Sequence, residues 1–209
     1  MQIIEQTENK ITCFSEKNIA NIFHLSDIHI RKENKNDNEI EFNKIIERVV
    51  TEMKKIPEQN NLIVIAGDIF DSRYPTTYAL YMFASMIEQL SNISPIIIIP
   101  GNHDVNSKNQ EDKDILNLMC NKMITKNKVH YLRTTGLYRY GQVMFSNCSI
   151  FDEKIIDPSL ISDKYIKVFL YHGFVKANNV DMQYVTMHKH IKLEQLKGYN
   201  LLLLGDIHQ

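Results

Sequence analysis

Five short polar clusters each follow an apolar run: "SDIH" at 26–29, "GDIFD" at 67–71, "GNHD" at 101–104, "YHGF" at 171–174 and "GDIH" at 205–208. Carboxylate and amide oxygens and imidazole nitrogens are the donors that hard-to-borderline divalent ions take, and a carboxylate can bridge two ions because it carries two oxygens. Cysteine is missing from the set, which argues against a structural zinc site. Two ions held roughly 3.5–4 Å apart would clamp a phosphate oxygen, lower the pKa of a bound water and stabilise an in-line transition state. Taken one at a time the clusters say little: an Asp-x-His is uninformative, and Gly-Asp after a strand is common in turns. Their shared position behind an apolar run is what joins them.

The apolar runs must therefore do the positioning. "NIFHLSDIHI" reads as a strand from Asn21, and the polar stretch after it as a loop. Ile40, Phe42, Ile45, Ile46, Val49, Val50 and Met53 recur at helical spacing, ahead of Pro57. "LIVIAGD" follows as a strand, "TTYALYMFASMIEQL" as a helix whose start is marked by Pro75 and Thr76, and "PIIIIPGNHD" as a strand running into a loop. This alternation predicts a parallel sheet covered by helices. The charged stretch from Asn106 to Asp114 leads to another helix, "DILNLMCNKMI". Beyond it "KVHYL", "GLYRYG", "QVMFSNCSI", "YIKVFLYH" and "MQYVTMH" predict a second sheet, followed by a short helix near Leu193–Leu196 and the strand "YNLLLLGD". A weaker strand around Lys10–Phe14 is expected beside the main sheet. In an α/β sheet the carboxyl ends of the strands share one edge, where ligands bind. All five clusters then meet there, with glycines 67, 101 and 205 giving the backbone room to turn and approach closely.

A chain of 209 residues with 44% hydrophobic content can build one large core, and nothing in its length asks for a second domain. The net charge of -1 means that any basic footprint is local. Cys13, Cys120 and Cys148 are odd in number and widely spaced, so a disulfide framework is not expected and a reducing compartment fits. The N-terminus has no secretory pattern and no apolar run is long enough to span a bilayer, so the chain reads as a soluble intracellular protein with no membrane partner. His24 and His130 read as structural, and His188 and His190 as a solvated strand end. Lys122, Lys126, Lys128, Arg133 and Arg139 read as scattered surface cations more than as a phosphate-binding patch.

Taken in order, Asp-x-His, Gly-Asp-x-x-Asp, Gly-Asn-His-Asp, a lone His and a final Gly-x-x-His resemble the calcineurin-like metallophosphoesterase superfamily, from Asn21 to Gln209. "HLSDIHI", "AGDIFDSRYPTTYALYMF" and "IPGNHD" are most similar to its Mre11/SbcD branch of DNA-repair nucleases. The resemblance implies a four-layer α-β-β-α sandwich of two mixed sheets flanked by helices. It implies that Asp27, His29, Asp68 and His208 hold one ion, and that Asp68 bridges to a second ion held by Asn102, His172 and Asp206. His103 would stand over the scissile phosphate as acid or charge stabiliser, with Asp71 orienting it. Mn²⁺, with Mg²⁺ as the alternative, would be the metal, DNA the substrate and a Rad50/SbcC-like ATPase the partner. A homodimer could use the helix 115–124, whose Ile115, Leu118, Met119 and Met123 share a face, although core packing explains that face equally well.

Two departures stand out. The family's last motif is usually Gly-His-x-His, whereas this chain reads Gly205-Asp206-Ile207-His208, which adds a negative charge and favours harder ions. The chain also ends one residue after His208, so it is expected to be a fragment that lacks the last strands and the capping domain of such nucleases. The other functions in view are hydrolysis of small phosphoesters or cyclic nucleotides, and a non-catalytic scaffold. Phosphoprotein hydrolysis is disfavoured because Ser72-Arg73 stands where that branch reads Arg-Gly.

Overall fold

In the computed structural model the described residues are 3–4, 11–31, 36–56, 60–106, 114–176 and 190–206. In chain order the elements are β1 (Ile3–Ile4), β2 (Thr12–Ser15), β3 (Asn21–Leu25), α1 (Asn36–Lys54), β4 (Asn61–Ala66), α2 (Thr77–Ser91), β5 (Ile96–Ile99) and α3 (Ile115–Lys122). They continue with β6 (Val129–Tyr131), β7 (Gly136–Tyr140), β8 (Val143–Cys148), β9 (Ile155–Ile156), β10 (Ile166–His172), β11 (Val175–Lys176), β12 (Ile191–Lys192) and β13 (Leu201–Gly205). One main sheet has the order β3-β4-β5-β6 and is parallel throughout. The other has the order β13-β10-β8-β7-β2 and is mixed, with β7 and β8 antiparallel.

Every residue of β4 and β5 is buried, as a Val/Ile-rich strand covered on both faces should be. Side chains alternate across a strand. Ile63, Ile65, Ile96 and Ile98 accordingly face the helices, against Met53, Met82, Phe83, Met86, Leu90 and Leu116. Leu62, Val64, Ala66, Ile97 and Ile99 face the second sheet, against Val143, Phe145, Val168, Leu170 and Leu203. The α2 start lies where Pro75-Thr76 marks it: the Thr76 hydroxyl accepts from the Ala79 N–H at 3.2 Å. Asp114 caps α3 by accepting from the Asn117 N–H at 2.8 Å. Its other oxygen accepts from the Tyr131 hydroxyl at 3.1 Å and Arg133 Nε at 3.0 Å, tying the helix start to the end of β6.

Some expectations need correcting. "KVHYL" belongs to the first sheet, because α3 packs on the same face as α1 and α2 and returns the chain parallel to β5. The strand near Lys10–Phe14 is β2, and it joins the second sheet beside β7. On the outer face of the second sheet Ile155, Ile156, Ile161, Ile191 and Leu196 pack against Leu137, Met144, Phe169 and Tyr171. "MQYVTMH" and His188 lie outside the described residues. No described helix is long and apolar enough to cross a membrane.

Candidate metal centre

The loops after β3 and β4 stay zipped beyond the strands. Asp27 N–H donates to the Gly67 carbonyl at 3.1 Å, His29 N–H to Asp68 O at 3.0 Å, Ile30 N–H to Ile69 O at 2.8 Å, and Asp71 N–H to Ile30 O at 3.1 Å. This ladder sets Asp27 and His29 beside Asp68. Asp27 (φ 54°), His29 (φ 48°), Asp68 (φ 50°) and Asp206 (φ 63°) are all left-handed, with only Asn60 and Glu153 joining them among the described non-glycine residues. Each such residue costs about 1–2 kcal/mol, so four at one sheet edge mark a place whose surroundings over-determine the backbone.

Gly67 is left-handed too, at φ 81°, and a Cβ there would run into the His172 imidazole and lie 2.9 Å from the Gly101 Cα. A Cβ on Gly101 would overlap Asp68, and one on Gly205 would overlap His172 and the Ala66 carbonyl. Backbone with no side chain thus forms the seat of Asp68 and His172.

Asp68 is only 1% exposed. Its Oδ1 accepts from the His103 N–H at 2.9 Å and lies 3.2 Å from His172 Nε2, while Oδ2 lies 3.8 Å from His29 Nε2. His172 Nδ1 faces the Ala66 carbonyl at 2.8 Å, a group that can only accept, so Nδ1 carries the proton. The opposite nitrogen, Nε2, points at Asp68 Oδ1 and, at 3.1 Å, at Asn102 Oδ1. A neutral imidazole would leave three acceptors converging with no donor between them. With the Asn102 amide oxygen facing inward, a proton or a cation at that spot would join the three. Burial works against a proton there, but Asp68, helped by the Ala66 carbonyl and Asp27, outweighs burial and raises the His172 pKa to about 9. For Asp68 burial pushes upward, and His172 together with His103 more than offsets it, holding the carboxyl below its ordinary range.

Two donor groups share Asp68. Ligand atoms of His29, Asp68 and His103 lie within 4.8 Å of one another, as do those of Asp27, Asp68 and His172. Asp206 comes to the same place through its main chain, whose N–H donates to Asp27 Oδ1 at 3.0 Å. The structure therefore brings together Asp27, His29, Asp68, Asn102, His103, His172 and Asp206. In one group Asp27 lies with His172 across Asp68, and in the other His29 lies with His103. His208 lies outside the described residues.

Asp71 sits differently from the expectation that its carboxylate steers His103. Asp71 is exposed, and its main-chain carbonyl lies 3.1 Å from His103 Nδ1. The His103 ring stands edge-on to that of His29, with centroids 5.2 Å apart. Asp104, which sequence reasoning missed, is 1% exposed and ties two of the loops together. Its Oδ1 accepts from the Phe70 N–H at 2.8 Å and its Oδ2 from the Gly101 N–H at 2.9 Å. Burial, only partly opposed by those amides, pushes its carboxyl up to about 6. Its signal was present as the last letter of "GNHD". Arg73 also braces this loop, donating from Nε to the Asn102 carbonyl at 3.0 Å.

Comparison with known proteins matches residues 20–209 to the calcineurin-like phosphoesterase family. An uncharacterised protein, R555, of Acanthamoeba polyphaga mimivirus is 30% identical over 206 residues, which is 93% of this chain and 15% of that protein. The SbcD component of nuclease SbcCD from Staphylococcus epidermidis is 41% identical over 87 residues, 40% of this chain and 22% of that protein. DNA double-strand break repair protein Mre11 of Saccharolobus solfataricus is 33% identical over 89 residues, 41% of this chain and 23% of that protein. The chain thus spans less than a quarter of the length of each of these relatives.

Proposed function

This chain belongs to the calcineurin-like phosphoesterase family, and we propose that it hydrolyses DNA phosphodiesters with two divalent ions, Mn²⁺ or Mg²⁺, bound at the centre just described. The observation that carries this reading is Asp68, a buried carboxylate with one oxygen toward His172 and the other toward His29. Two donor groups that share such a carboxylate suit two neighbouring ions. The donors are carboxylates, imidazoles and an amide, which fit hard-to-borderline metals.

Asp27, His29, Asp68, Asn102, His172 and Asp206 would hold the ions, with His208 a further candidate from the sequence. Bound ions would supply Lewis-acid stabilisation of charge on the phosphate oxygens. Asp68 and its neighbours fix where the phosphate sits. His103, with Nδ1 against the Asp71 carbonyl, keeps a preset ring orientation and offers Nε2 for protonating the leaving oxygen. The Asp71 contribution in this reading is made by its main chain. Asp104 is a positioning residue, since it holds Phe70 and Gly101 at the mouth of the centre.

The partial likeness to SbcD and to Mre11 supports DNA as the substrate, a role in double-strand-break repair and a Rad50/SbcC-like ATPase as partner. The test is hydrolysis of labelled single- and double-stranded DNA beside bis-p-nitrophenyl phosphate, with Mn²⁺ and with Mg²⁺. Cleavage of DNA that fails in His103→Ala supports the reading. Cleavage of the small ester alone, with DNA untouched, would replace it with a small-phosphoester hydrolase.

A further inference from the structure

A groove of about 650 Å³ opens at the amino-terminal edge of the first sheet, far from the metal centre. Along β4 the two are separated by six residues, about 20 Å at roughly 3.3 Å per residue. Lys17, Lys126 and Lys128 line the groove, and among the described residues no Asp or Glu does. Among the described residues no carboxylate pairs with Lys17 or Lys128. Lys126 Nζ reaches only the Asn92 carbonyl, at 3.3 Å. Three lysines are thus gathered locally in a chain whose net charge is -1 overall.

The walls are built. On the Lys17 side, the Gln142 side chain accepts from the Ile19 N–H at 2.7 Å and donates to the Ile19 carbonyl at 2.6 Å, and the Gly141 N–H donates to Ser15 O at 2.8 Å. On the Lys128 side, Asn127 Nδ2 donates to Ser91 O at 2.7 Å. Aromatic rings complete the lining. His130 stacks on Phe14 with centroids 3.8 Å apart and planes 20° apart, and Tyr140 also faces the groove. Burial, with help from Lys128, holds the His130 pKa down to about 4, so this ring is a neutral aromatic surface at pH 7.

We propose that this groove binds a nucleotide unit, with the phosphate taken by Lys17 and Lys128 and the base laid against Tyr140 and the Phe14–His130 stack. Cations that meet a phosphate beside rings that meet a base are the two halves of sequence-tolerant nucleotide binding. The volume falls within the range of small-ligand sites, roughly 300–1,000 Å³. An acidic peptide would satisfy the lysines but leave the rings without a matching face. The proposal stands apart from the hydrolase reading, because no residue of the metal centre lines the groove.

The nucleotide could be free or part of a strand, and the test separates these. The protein, in EDTA to suppress hydrolysis, is titrated calorimetrically with AMP, a short oligo-dT, inorganic phosphate and a poly-Glu peptide. The same titrations are run on Lys17→Glu/Lys128→Glu and on Tyr140→Ala, with thermal melts to verify folding. The expected result is saturable binding of AMP or oligo-dT that weakens about tenfold or more in the double variant and measurably in Tyr140→Ala. Binding of AMP points to a free nucleotide, and binding of oligo-dT alone to a strand. The proposal is overturned if neither nucleotide binds, if the double variant binds as the wild type does, or if phosphate or the peptide binds as tightly as the nucleotide.

Discussion

At the carboxyl end of the parallel sheet the clustered side chains are Asp27, Asp68, His29 and His172, while at its amino end they are Lys17, Lys126 and Lys128. In the first group Asp68 and His172 are buried against bare backbone, and Asp27, His29 and Asp68 are held in left-handed conformations. The second group is exposed on ordinary backbone, and its walls are fixed by side chains that bond to main chain. The contrast is physical. Buried carboxylates and converging acceptors are costly unless a cation or proton joins them, whereas hydrated ammonium groups cost little and wait for an anion. One end is therefore strained toward a cation, and the other is open to an anion at little cost.

Breaking the strained end should give the largest effects. Asp68→Asn removes the carboxylate common to both donor groups, and phosphodiesterase activity should fall by about three orders of magnitude, as for loss of a charged group acting on the transition state. Steady-state kinetics on bis-p-nitrophenyl phosphate measures this, and a variant within tenfold of wild type sinks the shared-ligand reading. Gly67→Ala places a Cβ on the His172 imidazole at a left-handed backbone. It should cost about 2–4 kcal/mol, visible as a drop in Tm of about 2–4 °C per kcal/mol. A melt unchanged from wild type would mean that the backbone seat is looser than it looks.

Asp104→Asn turns one acceptor into a donor that faces an N–H, and should cost about 1–3 kcal/mol. Activity should fall with it, since Phe70 and Gly101 lose their common tie. At the opposite end, pH provides the probe. The His130 pKa is lowered from its ordinary 6.5 to about 4, so the unfolded chain binds the proton more tightly than the folded one. Stability contributed by the neutral ring is present above pH 6.5 and is lost as pH falls toward 4. The loss should be on the order of 1 kcal/mol once partial exposure is discounted. His130→Gln should flatten that part of the stability–pH curve, and an identical slope in both proteins would contradict it. The smallest effect is expected at Asp71→Ala. The group against His103 is a main-chain carbonyl that alanine retains, so activity should change by less than about threefold while His103→Ala loses about 10²-fold or more.

The strands and helices that position the metal centre were legible because their hydrophobic periodicity is strong. The Val/Ile runs of β4 and β5, the helical spacing in α1 and the Pro75-Thr76 start of α2 all stand where the sequence puts them. Polar clusters behind those runs made the convergence of Asp27, His29, Asp68, Asn102, His103 and His172 readable. The sheet to which a short strand belongs was not readable. "VHY" of β6 carries no sign of its neighbour, and it is the packing of α3 that returns it beside β5. Asp104 escaped notice for a related reason: its two amide partners sit in different loops, and only the fold brings them to one carboxylate. The Asp71 contact was not readable because sequence lists side chains, whereas the group beside His103 Nδ1 is a main-chain carbonyl. The lysine groove was likewise invisible, since Lys17 joins Lys126 and Lys128 only through the docking of the 15–19 loop on Gly141 and Gln142.

Calorimetric titration with Mn²⁺ reads out whether two ions share Asp68. Two Mn²⁺ should bind per wild-type chain, and both sites should be lost in Asp68→Asn. Two sites surviving in Asp68→Asn, or a wild type that takes up no Mn²⁺, would contradict that sharing.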